Sequence, residues 1–232
     1  MHDEVAKHTK KIYDAAKNRK HSFGEKLKEI VIEIFIIVFA VTLSIWFHSW
    51  SDHRHEQDEV KEFLRGLKDD LTEDIKQLET NKNVITRLDS NFHFLRSLHK
   101  TDKTISDSFI SLDFDLRVTR PNIGRYEGFK SSGKIGTIEN DSVKEKILVF
   151  YEQTIPDLVY GENFVNDLQT KILNLEIDDH SEMPLRDFVT LAKMKILLHV
   201  AIQNFEVNIR GYDNTIKQAK WIIAEIDKEE KK

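Results

Sequence analysis

Residues Ile30–Phe47 read I-V-I-E-I-F-I-I-V-F-A-V-T-L-S-I-W-F, an apolar run interrupted only by Glu33, Thr42 and Ser44. At ~1.5 Å of rise per residue, a helix of this length covers most of a ~30 Å hydrocarbon core. The flanks orient it. Lys10, Lys11, Lys17, Arg19, Lys20, Lys26 and Lys28 precede the run, against Arg54, Lys61 and Arg65 after it, and the positively charged side stays in the cytoplasm. Trp46 and Trp50 mark the outer headgroup level. The small-x-small triplet Ser49-Trp50-Ser51 invites comparison with a leader-cleavage site, but the basic region before the run is too long for an ordinary leader, so the helix is expected to stay as an anchor. The expected organisation is a basic cytoplasmic tail (1–22), a transmembrane helix (23–50) and an extracytoplasmic helical domain (51–232), with the chain in an inner membrane.

Working outward, only 40% of the 232 residues are hydrophobic, so the membrane segment is local and the chain is not polytopic. Charged residues reach 32%, with 8 Gly and 3 Pro, a composition that favours long helices over sandwiches or barrels. The absence of Cys removes disulfides, thiol catalysis and thiolate metal sites. The segment up to Glu29 holds eight Lys/Arg against five Asp/Glu, which leaves −8 on the remainder of a chain whose net charge is −5. That polarity argues against a nucleic-acid partner for the main domain.

Apolar residues at Val60, Leu64, Leu67, Leu71, Ile75, Leu78, Ile85, Leu88, Phe92 and Leu95 alternate threes and fours, which predicts a long helix with one core seam. No Pro precedes Pro121 and Gly66 is the sole Gly between Gly24 and Gly124, so the transmembrane helix is expected to continue into it. A second long pattern opens at Pro184 and passes through Phe188, Ile196, Leu198, Ile202, Phe205, Tyr212 and Ile226. The fold class follows as all-α: the stalk helix packs antiparallel against the long C-terminal helix, and short helices form a distal head. Ser142 with Glu145 spells a capping box for one short helix; another spans about 157–175. Ile110, Leu112, Phe114, Leu116 and Val118 alternate with polar residues as a strand does, yet no matching strand exists to pair with them. Strand and short helix both stay open there.

Arg120-Pro121-Asn122, Tyr126, Lys130-Ser131-Ser132-Gly133-Lys134 and Ile138-Glu139-Asn140 resemble the signature of a large uncharacterised family of single-pass, mostly helical membrane proteins in Gram-negative bacteria. The membrane region, with its Glu in the first turn and its Trp, resembles the same family. The match spans roughly 25–151, departs at Ser49, Gly124 and Arg125, and implies a topology but no activity. Physically, Pro121-Asn122 supplies a turn and Gly133 a left-handed helix end.

Few motifs carry chemistry. Gly128–Lys134 matches G-x-x-x-x-G-K, but Ile135 replaces the magnesium-binding hydroxyl and no strand precedes it. His48, Asp52 and His55, with Glu59, recur on one helix face at a spacing that suits a divalent metal, or simply a solvated face. Glu33, Ala40 and Ser44 fall on a stripe of small and polar residues suited to helix association in the membrane. Arg120, Tyr126, Lys130 and Lys134 are expected to form an interaction surface on the distal head, either as an anion site with Arg117 and Arg125 or paired with carboxylates. No catalytic residue and no cofactor is assigned. The expected function is a self-associating, membrane-anchored structural or interaction module with an envelope partner; the alternative is a sensor that relays ligand binding in the head to a cytoplasmic partner.

Overall fold

The structure, a computed structural model, describes residues 2–17, 23–101, 104–179 and 183–231. His180 and Ser181 lie outside them, as does 18–22 of the tail. Seven α-helices are described: α1 (His2–Lys17), α2 (Phe23–Ser97), α3 (Gly124–Ser131), α4 (Asp141–Val149), α5 (Ile155–Asp179), α6 (Leu185–Val189) and α7 (Ala192–Glu229). No strand occurs among the described residues. The chain separates into two compact units, Met1–Glu59 and Val60–Lys232.

In the first unit α1 precedes the start of α2, and His8 Nδ1 pairs with the Glu33 carboxylate. The apolar run of α2 reaches a mean hydropathy of 2.7 with none of its window buried. It is long and apolar enough to cross a membrane. Arg54 lies over the Trp50 ring at 4.9 Å, a cation–π contact at the end of the run.

In the second unit all ten positions predicted for the seam of α2, from Val60 to Leu95, are buried. They meet α7, and long-range pairs fix the direction: Lys68 with Asp227, Lys82 with Asp213 at 2.6 Å, and Lys220 with Glu79 at 3.1 Å. One index rises as the other falls, so the two long helices are antiparallel. At the far end Lys195 Nζ donates to the carbonyls of Leu95, Arg96 and Leu98 at 3.2, 2.5 and 2.7 Å, satisfying acceptors that the last turn of α2 leaves without intrahelical donors. Phe92 and Phe205 close the seam edge to face at 5.0 Å.

Three local expectations are corrected. The C-terminal long helix begins at Ala192, not Pro184: the Thr190 hydroxyl donates to the carbonyls of Arg186 and Asp187, ending α6, and Leu191 is extended at ψ 143°. Ile196, expected in its core face, is 64% exposed, while Met194 is fully buried. The cap of α4 is Asn140, whose Oδ1 accepts from Ser142 N and Val143 N at 3.1 and 3.2 Å; the Ser142 box gives way to a better-placed acceptor two residues earlier. Between α4 and α5 the chain stays helical through Pro156 by widening into a π turn over Phe150–Thr154, which removes the clash Pro would make with a regular preceding turn.

Candidate functional site

The segment from Ile110 to Asn122 is neither strand nor helix. It is an extended strap without a partner strand, and the helices beside it supply the partners that a second strand would. On α2, Asn91 uses its whole amide: Nδ2 donates to Ser111 O at 2.9 Å and Oδ1 accepts from Asp113 N at 3.3 Å. On α5, Gln169 accepts from Asp115 N at 2.9 Å and donates to Asp115 O at 3.2 Å. Asn166 donates to Arg117 O at 2.9 Å, and Glu162 Oε2 accepts from Thr119 N at 2.7 Å. Every backbone group used from 111 to 119 belongs to an odd-numbered residue, the period of a strand edge. Gln77 and Asp74 of α2 then take Arg120 N at 3.0 Å and Asn122 N at 2.9 Å.

Geometry explains which side chains stand where. From Gln169 to Glu162 the helix advances roughly 10 Å, whereas the strap from Asp115 to Thr119 advances roughly 13 Å. The outer positions carry the longer side chains, Gln169 and Glu162, and the central one carries the shorter Asn166.

The tightest point of this seam is Glu162, 2% exposed. Besides Thr119 N it accepts from Thr119 Oγ1 and from the Tyr212 hydroxyl of α7, both at 2.5 Å. Asn81 of α2 donates to Thr119 Oγ1 at 3.2 Å. One carboxylate thus ties together α5, the strap and α7, and Asn81 adds α2. Burial, and then the charge of Glu162 beside it, push the Tyr212 hydroxyl far above its ordinary value, so it remains a donor. A carboxylate whose lone pairs are taken by three internal donors acts as a clamp.

The sequence signature forms a second cluster. Asp74, 3% exposed, accepts both Asn122 N and Asn122 Nδ2 on Oδ1 at 2.9 Å each, while its Oδ2 has no partner. Burial raises the Asp74 carboxyl above its ordinary value, the bond from the Asn122 backbone opposes this, and the Asp70 charge adds to it. Arg125 donates to Asp70 at 2.9 Å, and its guanidinium lies flat on Gly66: a Cβ at that glycine would sit 2.2 Å from Arg125 Cζ. That is why the only Gly in the long helix after the apolar run stands there. Phe63 stacks on Phe129 at 3.9 Å, and Tyr126 stacks on Tyr151 at 4.4 Å while donating to Glu152 at 2.6 Å.

These contacts correct the expected place of the signature. It packs against the beginning of the second unit's stretch of α2, from Phe63 to Gln77, not at the far tip. Tyr126 is fully buried and offers no surface. Lys130 is paired with Glu152 and Arg117 with Asp115, so carboxylates, not an external anion, hold these cations. Arg120 is exposed and Lys134 half-buried. Gly133 takes the left-handed conformation, φ 77°, as its place after α3 predicts; the G-x-x-x-x-G-K stretch is thereby a helix end and not a phosphate cradle.

Of the residues expected near the membrane, Glu33 is occupied by His8, and Ala40 and Ser44 are exposed. His48 Nε2 lies 3.4 Å from Asp52 Oδ2 on an open surface, 82% and 58% exposed; His55 is exposed. Among the described residues no three His, Asp or Glu side chains converge as metal ligands would.

Sequence reading missed the clamp. Its signal was present: Glu162, Asn166 and Gln169 sit three and four residues apart among Leu158, Val165, Leu168 and Ile172, polar groups in an apolar stripe that need internal partners.

Fold and seam together define an all-helical domain, cross-braced by an extended strap, on a chain that carries one apolar N-terminal helix. The chain belongs to a family of unknown function, DUF6090, whose pattern covers residues 30–177. No curated protein and no solved structure matches it.

Proposed function

We propose that this protein is a membrane-anchored interaction module of the bacterial envelope, with α1 at the cytoplasmic face, the apolar run of α2 in the inner membrane and the helical domain from Val60 on the outer side. The observation that carries this reading is the uncovered apolar run: a window of mean hydropathy 2.7, none of it buried by the protein, with Phe35 67% and Trp46 58% exposed. Water does not tolerate such a surface and lipid does. The excess of Lys and Arg before the run supports the orientation, and the resemblance to single-pass proteins of Gram-negative bacteria supports the compartment. The face carrying Ala40 and Ser44 serves self-association, since small residues allow two helices to approach closely. The saturated seam suits a rigid body that presents surface to an envelope protein.

The native chain has no Cys, so a single Ala40→Cys or Val41→Cys substitution gives a clean cross-linking test in native membranes. The chain is expected to resist alkaline carbonate extraction, to lose its domain to protease added from the periplasmic side, and to form a disulfide dimer from position 40 in preference to 41. Extraction by carbonate removes the anchor; equal cross-linking at both positions removes the interface.

A further inference from the structure

The first unit contains a cleft that the anchoring role alone does not explain. Beside the first turn of the apolar run, His8 of α1 pairs with Glu33 of α2. That pair brings α1 against the beginning of α2. Between them lies a cleft of about 310 Å³ lined by Lys11, Ile12, Glu29, Ile30, Ile32 and Glu33. Its polar groups are one ammonium and two carboxylates; the rest of its lining is three isoleucine side chains. Among the described residues neither Lys11 nor Glu29 has an ion-pair partner, and both are exposed.

We propose that this cleft holds the headgroup of an ethanolamine phospholipid. This inference rests on the membrane reading above, which puts Ile30–Glu33 at the level where headgroups meet hydrocarbon. The phosphate oxygens accept from the Lys11 ammonium, and the lipid's primary ammonium donates to Glu29 and to the outer edge of Glu33. The acyl chains then descend over Ile32 and Ile36, which are 47% and 46% exposed.

The charge pattern selects the headgroup class. Two carboxylates beside one ammonium repel a headgroup that is only negative. A choline headgroup matches in charge but has no N–H, and charge-assisted hydrogen bonds to a carboxylate need one. Ethanolamine supplies both the charge and the donors. The site also accounts for Glu33. A carboxylate in the first turn of an apolar run is costly, and His8 on one side with a lipid ammonium on the other satisfies it without burying it in hydrocarbon.

The test uses the full-length chain in vesicles of phosphatidylethanolamine, phosphatidylcholine or phosphatidylglycerol. Native mass spectrometry after gentle extraction counts retained lipid. Wild type is expected to retain phosphatidylethanolamine about tenfold more strongly than either other lipid, a difference that Lys11→Gln and Glu29→Gln each abolish, since each removes a charge-assisted contact worth about that factor. Both substitutions are at exposed positions and leave the helical circular dichroism unchanged. Equal retention of the three lipids, or a preference that survives both substitutions, overturns the cleft. Competition by free phosphoethanolamine at matched concentration overturns the lipid as its ligand. Loss of the chain to alkaline carbonate instead overturns the anchoring reading itself, so the two failures are distinct.

Discussion

The Glu162 clamp gives the sharpest test of the fold's reasoning. Replacing Glu162 by Ala leaves three donors without an acceptor: Thr119 N–H, Thr119 Oγ1 and the Tyr212 hydroxyl, which now bond at 2.7, 2.5 and 2.5 Å. The hydroxyls can turn; the backbone N–H cannot. Breaking a buried charged network from one side costs about 3–5 kcal/mol, and for a domain of this size each kcal/mol moves the midpoint by about 2–4 °C. Glu162→Ala is therefore expected to lower the melting temperature by about 6–20 °C. Tyr212→Phe deletes one donor and leaves the carboxylate two, so about 1.5–3 kcal/mol, or about 3–12 °C, is expected.

The two substitutions do not add. Once Glu162 is gone, the buried Tyr212 hydroxyl has lost its partner, and removing it costs nothing further or relieves a penalty. The assay is thermal unfolding of the full-length protein in micelles, followed by circular dichroism at 222 nm, for wild type, both single variants and the double. If Tyr212→Phe costs the same in the Glu162→Ala background as in wild type, the hydroxyl does not answer to Glu162 and the clamp is refuted.

Two further outcomes follow from the seam and the signature. Gln169→Leu removes both bonds to Asp115 and is expected to cost about 2–4 kcal/mol, with faster amide exchange at Asp115 than at Thr119; uniform exchange along the strap would show that Gln169 does not hold it. Asp74 has a folded pKa raised above its ordinary 3.8, so its contribution is fully present below the unfolded value and is lost as pH rises through the folded one. The melting temperature of Asp74→Asn relative to wild type is thus expected to climb as pH rises above the ordinary carboxylate value of 3.8, and an offset that does not change with pH would contradict the buried, half-satisfied carboxylate.

The long helices were legible because their core contacts repeat locally: an apolar residue every three or four positions commits one face of α2 whatever its partner, and the ten positions so read are buried. Gly133 was legible for the same reason, since a helix end asks for a left-handed residue at one place. The strap was not. Its alternation from Ile110 to Val118 signals extended backbone, but the groups that pair with it lie 43 residues away at Glu162 and 54 at Gln169, and their helical spacing within an apolar stripe says that they need internal partners, not which ones. The signature was misplaced for a related reason. Residues 120–134 show a turn, a short helix and a stop, but only long-range contacts, such as Arg125 on Gly66 and Asn122 on Asp74, say which part of α2 they lie on.

The strap also shows why a polar seam belongs in this core. Its apolar residues do not set its register: Ile110 is buried, but Leu116 is 54% and Val118 37% exposed, while Thr119 on the opposite face is 3% exposed. Burial changes sides partway along, so hydrophobic patterning alone permits a one-residue slip, which would turn Leu116 and Val118 toward the helices. The seam forbids that slip. Shifted by one residue, the strap would set Val118 against Glu162 and leave the carboxylate short of the Thr119 hydroxyl that it accepts. Most of this arrangement, the strap with Asn81, Asn91, Glu162, Asn166 and Gln169, lies within the stretch that defines the family, and only Tyr212 comes from beyond it. On this reasoning a chain with the strap and α5 intact but Phe at 212 keeps the register and loses only tightness, whereas a chain lacking the Glu162 carboxylate is left with Asn91, Asn166 and Gln169 to hold the register.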